Sequence, residues 1–151
     1  MAWPPFMPGF GAHMNALTPS AVDSSTITPF VPITHAGITN APTSGTFAKT
    51  DTVHAEIALT NTGERKGTEV VQVYIGDIVT SYSWTDRELK AFQRVELEPG
   101  QTKTVGFDIP VADCTIVDPD ANRIVEPGEF EVLIGHSSRR KDLKRTTFTV
   151  A

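Results

Sequence analysis

The segment Asp118-Pro-Asp-Ala-Asn-Arg-Ile-Val-Glu-Pro-Gly-Glu129 spaces its oxygen ligands as a calcium loop does. Asp118, Asp120, Asn122 and Glu129 fall at the first, third, fifth and twelfth positions of the EF-hand pattern. Arg123 stands where that loop's sharp turn requires glycine, and β-type patterns flank it where helices should be. Asp, Asn and Pro are also the ordinary residues of a hairpin connection, so no metal site is expected. His136, Ser137 and Asp142 supply the residue types of a nucleophile, its base and an orienting acid. No nucleophile elbow surrounds Ser137, and all three fall in a strand-to-strand loop, so they read as loop residues.

Glycoside cleavage needs two carboxyl groups about 5 to 9 Å apart around a sugar pocket. Glu126, Glu129 and Glu131 are close in sequence. On a strand, however, Glu129 and Glu131 flank Phe130 and face away from the core, as a solvated strand face does. Asp86 and Glu88 form no better pair, and no catalytic residue is expected. The basic group Arg139, Arg140, Lys141, Lys144 and Arg145 is interrupted by Asp142 and lacks stacking aromatics. It reads as solvated loop and edge-strand charge, which also discourages edge-to-edge pairing. Cys114 precedes the apolar run Thr115-Ile-Val and reads as a small core residue. Tyr82 and Trp84 share a loop, where aromatic rings can stack on sugars or pack against another domain. They are the two candidate contact residues.

The composition bounds what these residues can serve. At 151 residues the chain suits one domain, and its 39% hydrophobic fraction suggests that part of it lies outside the core. A net charge of -5 argues against a nucleic-acid surface. No apolar run approaches the roughly 20 residues that span a bilayer, so no membrane partner is expected. The N-terminus has no basic region and is interrupted by Pro4 and Pro5, a poor match to a signal peptide. With one cysteine no intrachain disulfide forms, and the compartment stays undecided.

Two parts differ in character. Seven of the 11 prolines and all three methionines precede Lys49, with Asp23 the one formal charge there when histidine is neutral. Proline at that density interrupts helices and ladders alike, so residues 1–32 read as a Pro-rich, mostly unstructured tail. Trp3, Phe6 and Phe10 within it would clip onto the domain or a partner. Residues 33–151 read as one domain. Ile33 to Ile38 with Thr46-Phe47 would supply a first strand. Val53, Ala55, Ile57 and Leu59 then alternate with polar positions, as do Val105, Phe107 and Ile109, and Phe130, Val132 and Ile134. Thr68 to Ile75 is apolar on both faces, which suits a central strand whose outer face is partly covered. Gly63, Gly67, Glu98-Pro-Gly-Gln and Glu126-Pro-Gly mark turns. Seven or so short strands at this spacing predict an all-β, immunoglobulin-like antiparallel β-sandwich.

Four phrases occur in fixed order: Asn61-Thr-Gly-Glu-Arg-Lys-Gly-Thr-Glu-Val-Val-Gln-Val-Tyr74, Arg87-Glu-Leu-Lys-Ala-Phe92, Leu97-Glu-Pro-Gly-Gln-Thr-Lys-Thr-Val105 and Val125-Glu-Pro-Gly-Glu-Phe-Glu-Val-Leu-Ile-Gly-His-Ser-Ser138. Together they resemble the fibronectin type III-like domain that closes family 3 glycoside hydrolases, the β-glucosidases and β-xylosidases. The resemblance runs from near Lys49 to the end. It departs at Ala91, where relatives tend to have glycine, and at Ser83-Trp-Thr-Asp86, where they commonly hold a proline. It implies a non-catalytic, structural module with no cofactor, partnered by catalytic domains that the roughly 48 residues before it have no room for. The family's Ser-Asp-Trp nucleophile motif does not occur, and Gly9-Phe-Gly-Ala-His-Met14 is a faint counterpart of the stretch that tends to precede the module. The parent activity so implied is hydrolysis of β-glycosides, in relatives that are often secreted. Two other readings compete: a free-standing carbohydrate-binding module using Tyr82 and Trp84, and a protein-interaction module that docks through the N-terminal tail.

Overall fold

The computed structural model describes residues 32–39 and 45–151. The tail expected over residues 1–32 falls, up to residue 31, outside the described residues, as do its aromatic residues. Among the described residues ten strands form: β1 Ile33–Thr39, β2 Thr46–Phe47, β3 Thr52–Asn61, β4 Gly67–Asp77, β5 Glu88–Leu97, β6 Thr102–Pro110, β7 Ile116–Val117, β8 Arg123–Ile124, β9 Gly128–Gly135 and β10 Leu143–Val150. They make a three-stranded sheet in the order β1-β3-β6, a five-stranded sheet in the order β2-β10-β9-β4-β5, and the small β7-β8 hairpin. The expected all-β sandwich is therefore present, with single 3-10 turns at Val111–Asp113 and Arg140–Asp142.

Alternation builds the core. Val53, Ala55, Ile57 and Leu59 on β3 are wholly buried and meet Val71 and Val73 on β4 and Val132 and Ile134 on β9, also wholly buried. Phe130 on β9 stacks on Phe148 of β10, with ring centroids 5.5 Å apart, and Phe47 of β2 meets Phe148 edge-on at 5.8 Å. Offset and edge-on pairs of this kind add to the burial of the rings themselves. Cys114 joins the same core, and burial pushes its thiol up to about 11.

The stretch expected as one first strand is two, and they belong to different sheets. β1 runs antiparallel to β3, whereas β2 runs parallel to β10. The physical reason is that each sheet offers an open edge at this side, and one short strand covers each. Asn61 pins the turn after β3: its amide donates to the carbonyls of Arg65 at 2.8 Å and Leu97 at 3.0 Å, and its Oδ1 accepts the Gly63 N–H at 2.9 Å. A fully buried amide is tolerable only when satisfied in this way.

Strand β4 is central, between β9 and β5, as its apolar pattern implies. Its outer face is covered at one point by Tyr74 packing with Leu133 and Leu143. Elsewhere that face is open: Val70 is exposed, with Leu89 and Phe92 beside it on β5. A bulge puts both β5 residues there. Ala91 pairs with Val73 but Leu89 pairs with Tyr74, so Lys90 is the extra residue and the alternation shifts.

Candidate functional site

The connection from β4 to β5 holds Tyr82 and Trp84, and its backbone is anchored at several places. Ile78 donates its N–H to the Glu129 carbonyl at 3.1 Å, and Ser81 donates its N–H to Glu126 Oε2 at 3.0 Å. Asp77 Oδ1 accepts the Val79 N–H at 3.2 Å. Arg87 closes the loop by donating to the Ser138 carbonyl at 2.6 Å and pairing with Asp86.

Under this loop lies an ion cluster. Glu131 projects from the outer face of β9 and is only 4% exposed. Arg145 donates to its Oε2 at 2.7 Å, and Arg140 donates to its Oε1 at 2.8 Å and also to Asp86 Oδ1 at 2.8 Å. The Arg140 bond holds the Asp86 carboxyl below the usual range, and its acidic partners, Asp86 first, hold the Arg140 guanidinium above its own. Gly76, which pairs with Glu131 across β4 and β9, makes the space. A Cβ there would lie 2.8 Å from the Asp86 carbonyl oxygen and 3.0 Å from the Glu131 carboxylate. The expectation of a solvated face for Glu131, and of free surface charge for Arg140 and Arg145, is thus corrected. Two arginines with long apolar stems cover a carboxylate that would otherwise face water.

Trp84 stands between two hollows. On one side it meets a small recess with Ile75, Cys114 and Phe130, and on the other it rims a cleft of about 350 Å³ with Asp77, Arg140 and Arg145. Tyr82 does not line either hollow and is 41% exposed. Asp77 is the one cleft acid not engaged by an arginine. Burial raises its carboxyl above the ordinary range, the Val79 N–H opposes this, and the Glu126 charge adds to it. The charged groups and the Trp84 ring together could hold a sugar hydroxyl or a polar peptide group. Hydrolysis would need a second free carboxyl, and Glu131 is already committed to two arginines.

The other residues singled out by type fall into structural roles. Asp118 Oδ1 accepts the N–H groups of Asp120 at 3.0 Å and Asn122 at 2.8 Å, so its carboxylate shapes the β7-β8 hairpin turn. Those bonds, the Asn122 N–H foremost, hold its carboxyl low. Ser137 donates directly to Asp142 Oδ2 at 2.8 Å, while the His136 Nε2 to Asp142 distance is 3.9 Å. The three residues meet, but the acid binds the hydroxyl rather than orienting the imidazole. That is the wrong order for nucleophile activation.

A family model for the fibronectin type III-like domain matches residues 69–138, from β4 to the turn after β9. Residues 69–138 belong to this family. It is 39% identical over 104 residues to a β-xylosidase of Formosa agariphila, covering 69% of this chain and 14% of that protein. A probable β-glucosidase L of Emericella nidulans is 35% identical over 144 residues, 94% of this chain and 19% of that protein. Among solved structures, a β-glucosidase involved in saponin metabolism from intestinal bacteria superposes with a TM-score of 0.74 at 76% identity, over 81% of this chain and 16% of that one. The chain thus spans less than a fifth of the length of each of these proteins and corresponds to an accessory domain within them.

Proposed function

We propose that this domain is the C-terminal structural module of a β-glycoside-cleaving enzyme and packs on its catalytic domains through the β4-β5 hairpin. One observation carries the reading. Among the described residues, all six large exposed hydrophobic side chains, Val70, Ile78, Val79, Tyr82, Leu89 and Phe92, fall on that hairpin and its loop. Phe92 is 69% exposed and Val79 81%. Scattered exposed apolar groups need no explanation, but a patch confined to one hairpin marks an interaction surface. Strand β5 is also an edge, with backbone groups open to a partner. The similarity to β-glucosidases and a β-xylosidase supports a glycosidase as the parent and leaves the sugar to domains outside this chain.

The test is association with the saponin-metabolising β-glucosidase relative from which its own matching segment has been removed. Sedimentation should show a complex with the present chain that restores the relative's stability, and Phe92→Ser should weaken it. Absence of a complex at tens of micromolar protein would sink the docking reading. Hydrolysis of a nitrophenyl β-glucoside by the pure chain would sink the non-catalytic one. The Trp84 cleft favours a second reading, carbohydrate binding. Affinity electrophoresis in glucan gels decides it, since a binding module is retarded and its Trp84→Ala variant is not.

A further inference from the structure

The two sheets are joined by three side chains of a metal-ligating type. His35 comes from β1 of the smaller sheet, Glu69 from the start of β4, and His136 from just beyond β9. Their candidate ligand atoms all lie within 4.8 Å of one another. His35 is 5% exposed in its side chain, Glu69 20% and His136 45%. The group therefore runs from the interior to the surface, which gives an ion a way in.

We infer that His35, Glu69 and His136 form a binding site for a zinc-like divalent transition metal. The distances fit. Zinc binds imidazole nitrogen and carboxylate oxygen at about 2.0–2.2 Å, which sets ligand atoms of a tetrahedron about 3.3 Å apart. His35 Nε2 and Glu69 Oε2 are already 3.3 Å apart. The His136 ring stands edge-on to His35, with centroids 5.0 Å apart, and its ligand atom lies within 4.8 Å of the other two, so reaching the 3.3 Å tetrahedral spacing means closing gaps of about 1.5 Å at most. His136 is half-exposed, and its 3.9 Å approach to Asp142, whose carboxylate is engaged by Ser137, is too long for a hydrogen bond.

Glu69 brings a carboxylate beside the His35 imidazole, with its side chain 20% exposed. Two imidazoles and one carboxylate make a three-ligand set with a fourth position for water, a set that suits zinc over calcium or magnesium. The ion would clip edge strand β1 to the larger sheet. His54 gives an internal contrast: its Nδ1 faces Asp108 and its Nε2 faces Glu56, so the two carboxylates lie on opposite ring nitrogens and cannot converge on one ion.

The experiment is titration of the metal-free chain with ZnCl2, read by competition with a chromogenic chelator and by thermal unfolding. The expected result is one equivalent bound, with a rise in Tm that EDTA reverses and MgCl2 does not reproduce. His136→Ala, at a half-exposed position that should leave folding intact, should weaken binding by at least the 10- to 100-fold typical of disrupting a metal site. Glu69→Gln should do the same, while His54→Gln should change nothing. No saturable binding, or binding that both His136→Ala and Glu69→Gln leave unchanged, would overturn the assignment. Neither outcome bears on the hairpin docking reading, which is tested by Phe92→Ser on β5.

Discussion

The inner and outer faces of the five-stranded sheet are built from the same strands yet hold them by different means. The inner face is wholly apolar: Val71, Val73, Phe130, Val132, Ile134 and Phe148 are all 2% exposed or less. The outer face is a mosaic. Glu131 sits under two arginines, Tyr74 packs with Leu133 and Leu143, and Phe92 stands in solvent. The contrast shows which face fixes the fold and which leaves apolar side chains open. Apolar burial is non-directional and robust, so the inner face can be varied only at a cost to stability. The outer face spends its side chains on one buried ion group and one open patch.

Truncation inside should be the harshest change. Phe130→Ala removes a ring that stacks on Phe148 and leaves a cavity, and about 3 to 5 kcal/mol of stability should be lost in urea unfolding. On the outer face the ion cluster should respond asymmetrically. Replacing Arg140 and Arg145 together by Met strands a nearly buried carboxylate and should cost about 2 to 3 kcal/mol. Glu131→Gln keeps the shape and frees two half-exposed arginines to water, so roughly 1 kcal/mol should be lost. Equal costs would mean that the carboxylate is not desolvated as the packing implies.

Smaller still is the open patch. Phe92→Ser removes a ring that is 69% exposed, and the isolated domain should change by no more than about 0.5 kcal/mol. The same substitution should act on docking to catalytic domains. A stability loss as large as that of Phe130→Ala would show that Phe92 is covered in solution and that the two faces are less different than they look.

The part of this plan that could be read from the sequence is the inner face. Phe130, Val132 and Ile134 alternate because each points inward, and a period of two survives without any knowledge of partners. The outer face depends on pairings the linear chain does not display. Glu131 looks solvated until Arg140 and Arg145, nine and 14 residues away, return over it through the β9-β10 hairpin. Leu89 and Phe92 share a face only because one bulge at Lys90 shifts the register. His35, Glu69 and His136 are spread across three elements and have no common spacing. Trp84 stood out in its loop, yet its place between an apolar recess and a charged cleft came only with the folded loop.

The outer face of the smaller sheet extends the comparison to pH. His54 on β3 lies across from Asp108 on β6, with Nδ1 to Oδ1 at 2.6 Å, and its Nε2 reaches Glu56 Oε1 at 3.1 Å. The bond to Asp108, then the one to Glu56, raises the imidazole above its ordinary 6.5, with burial opposing weakly. A folded-state value above the unfolded one means that the charged ring favours the native state. That stability is complete below pH 6.5 and fades as pH rises through the raised value. The side chain is 43% exposed, so solvent screening keeps the effect small. Thermal unfolding measured from about pH 6 to 8.5 should therefore show Tm falling slightly with pH, and His54→Gln should flatten that slope while leaving Phe130→Ala as damaging as before. A slope that persists in His54→Gln would move the titration to another group and leave this face with no share in stability near neutral pH.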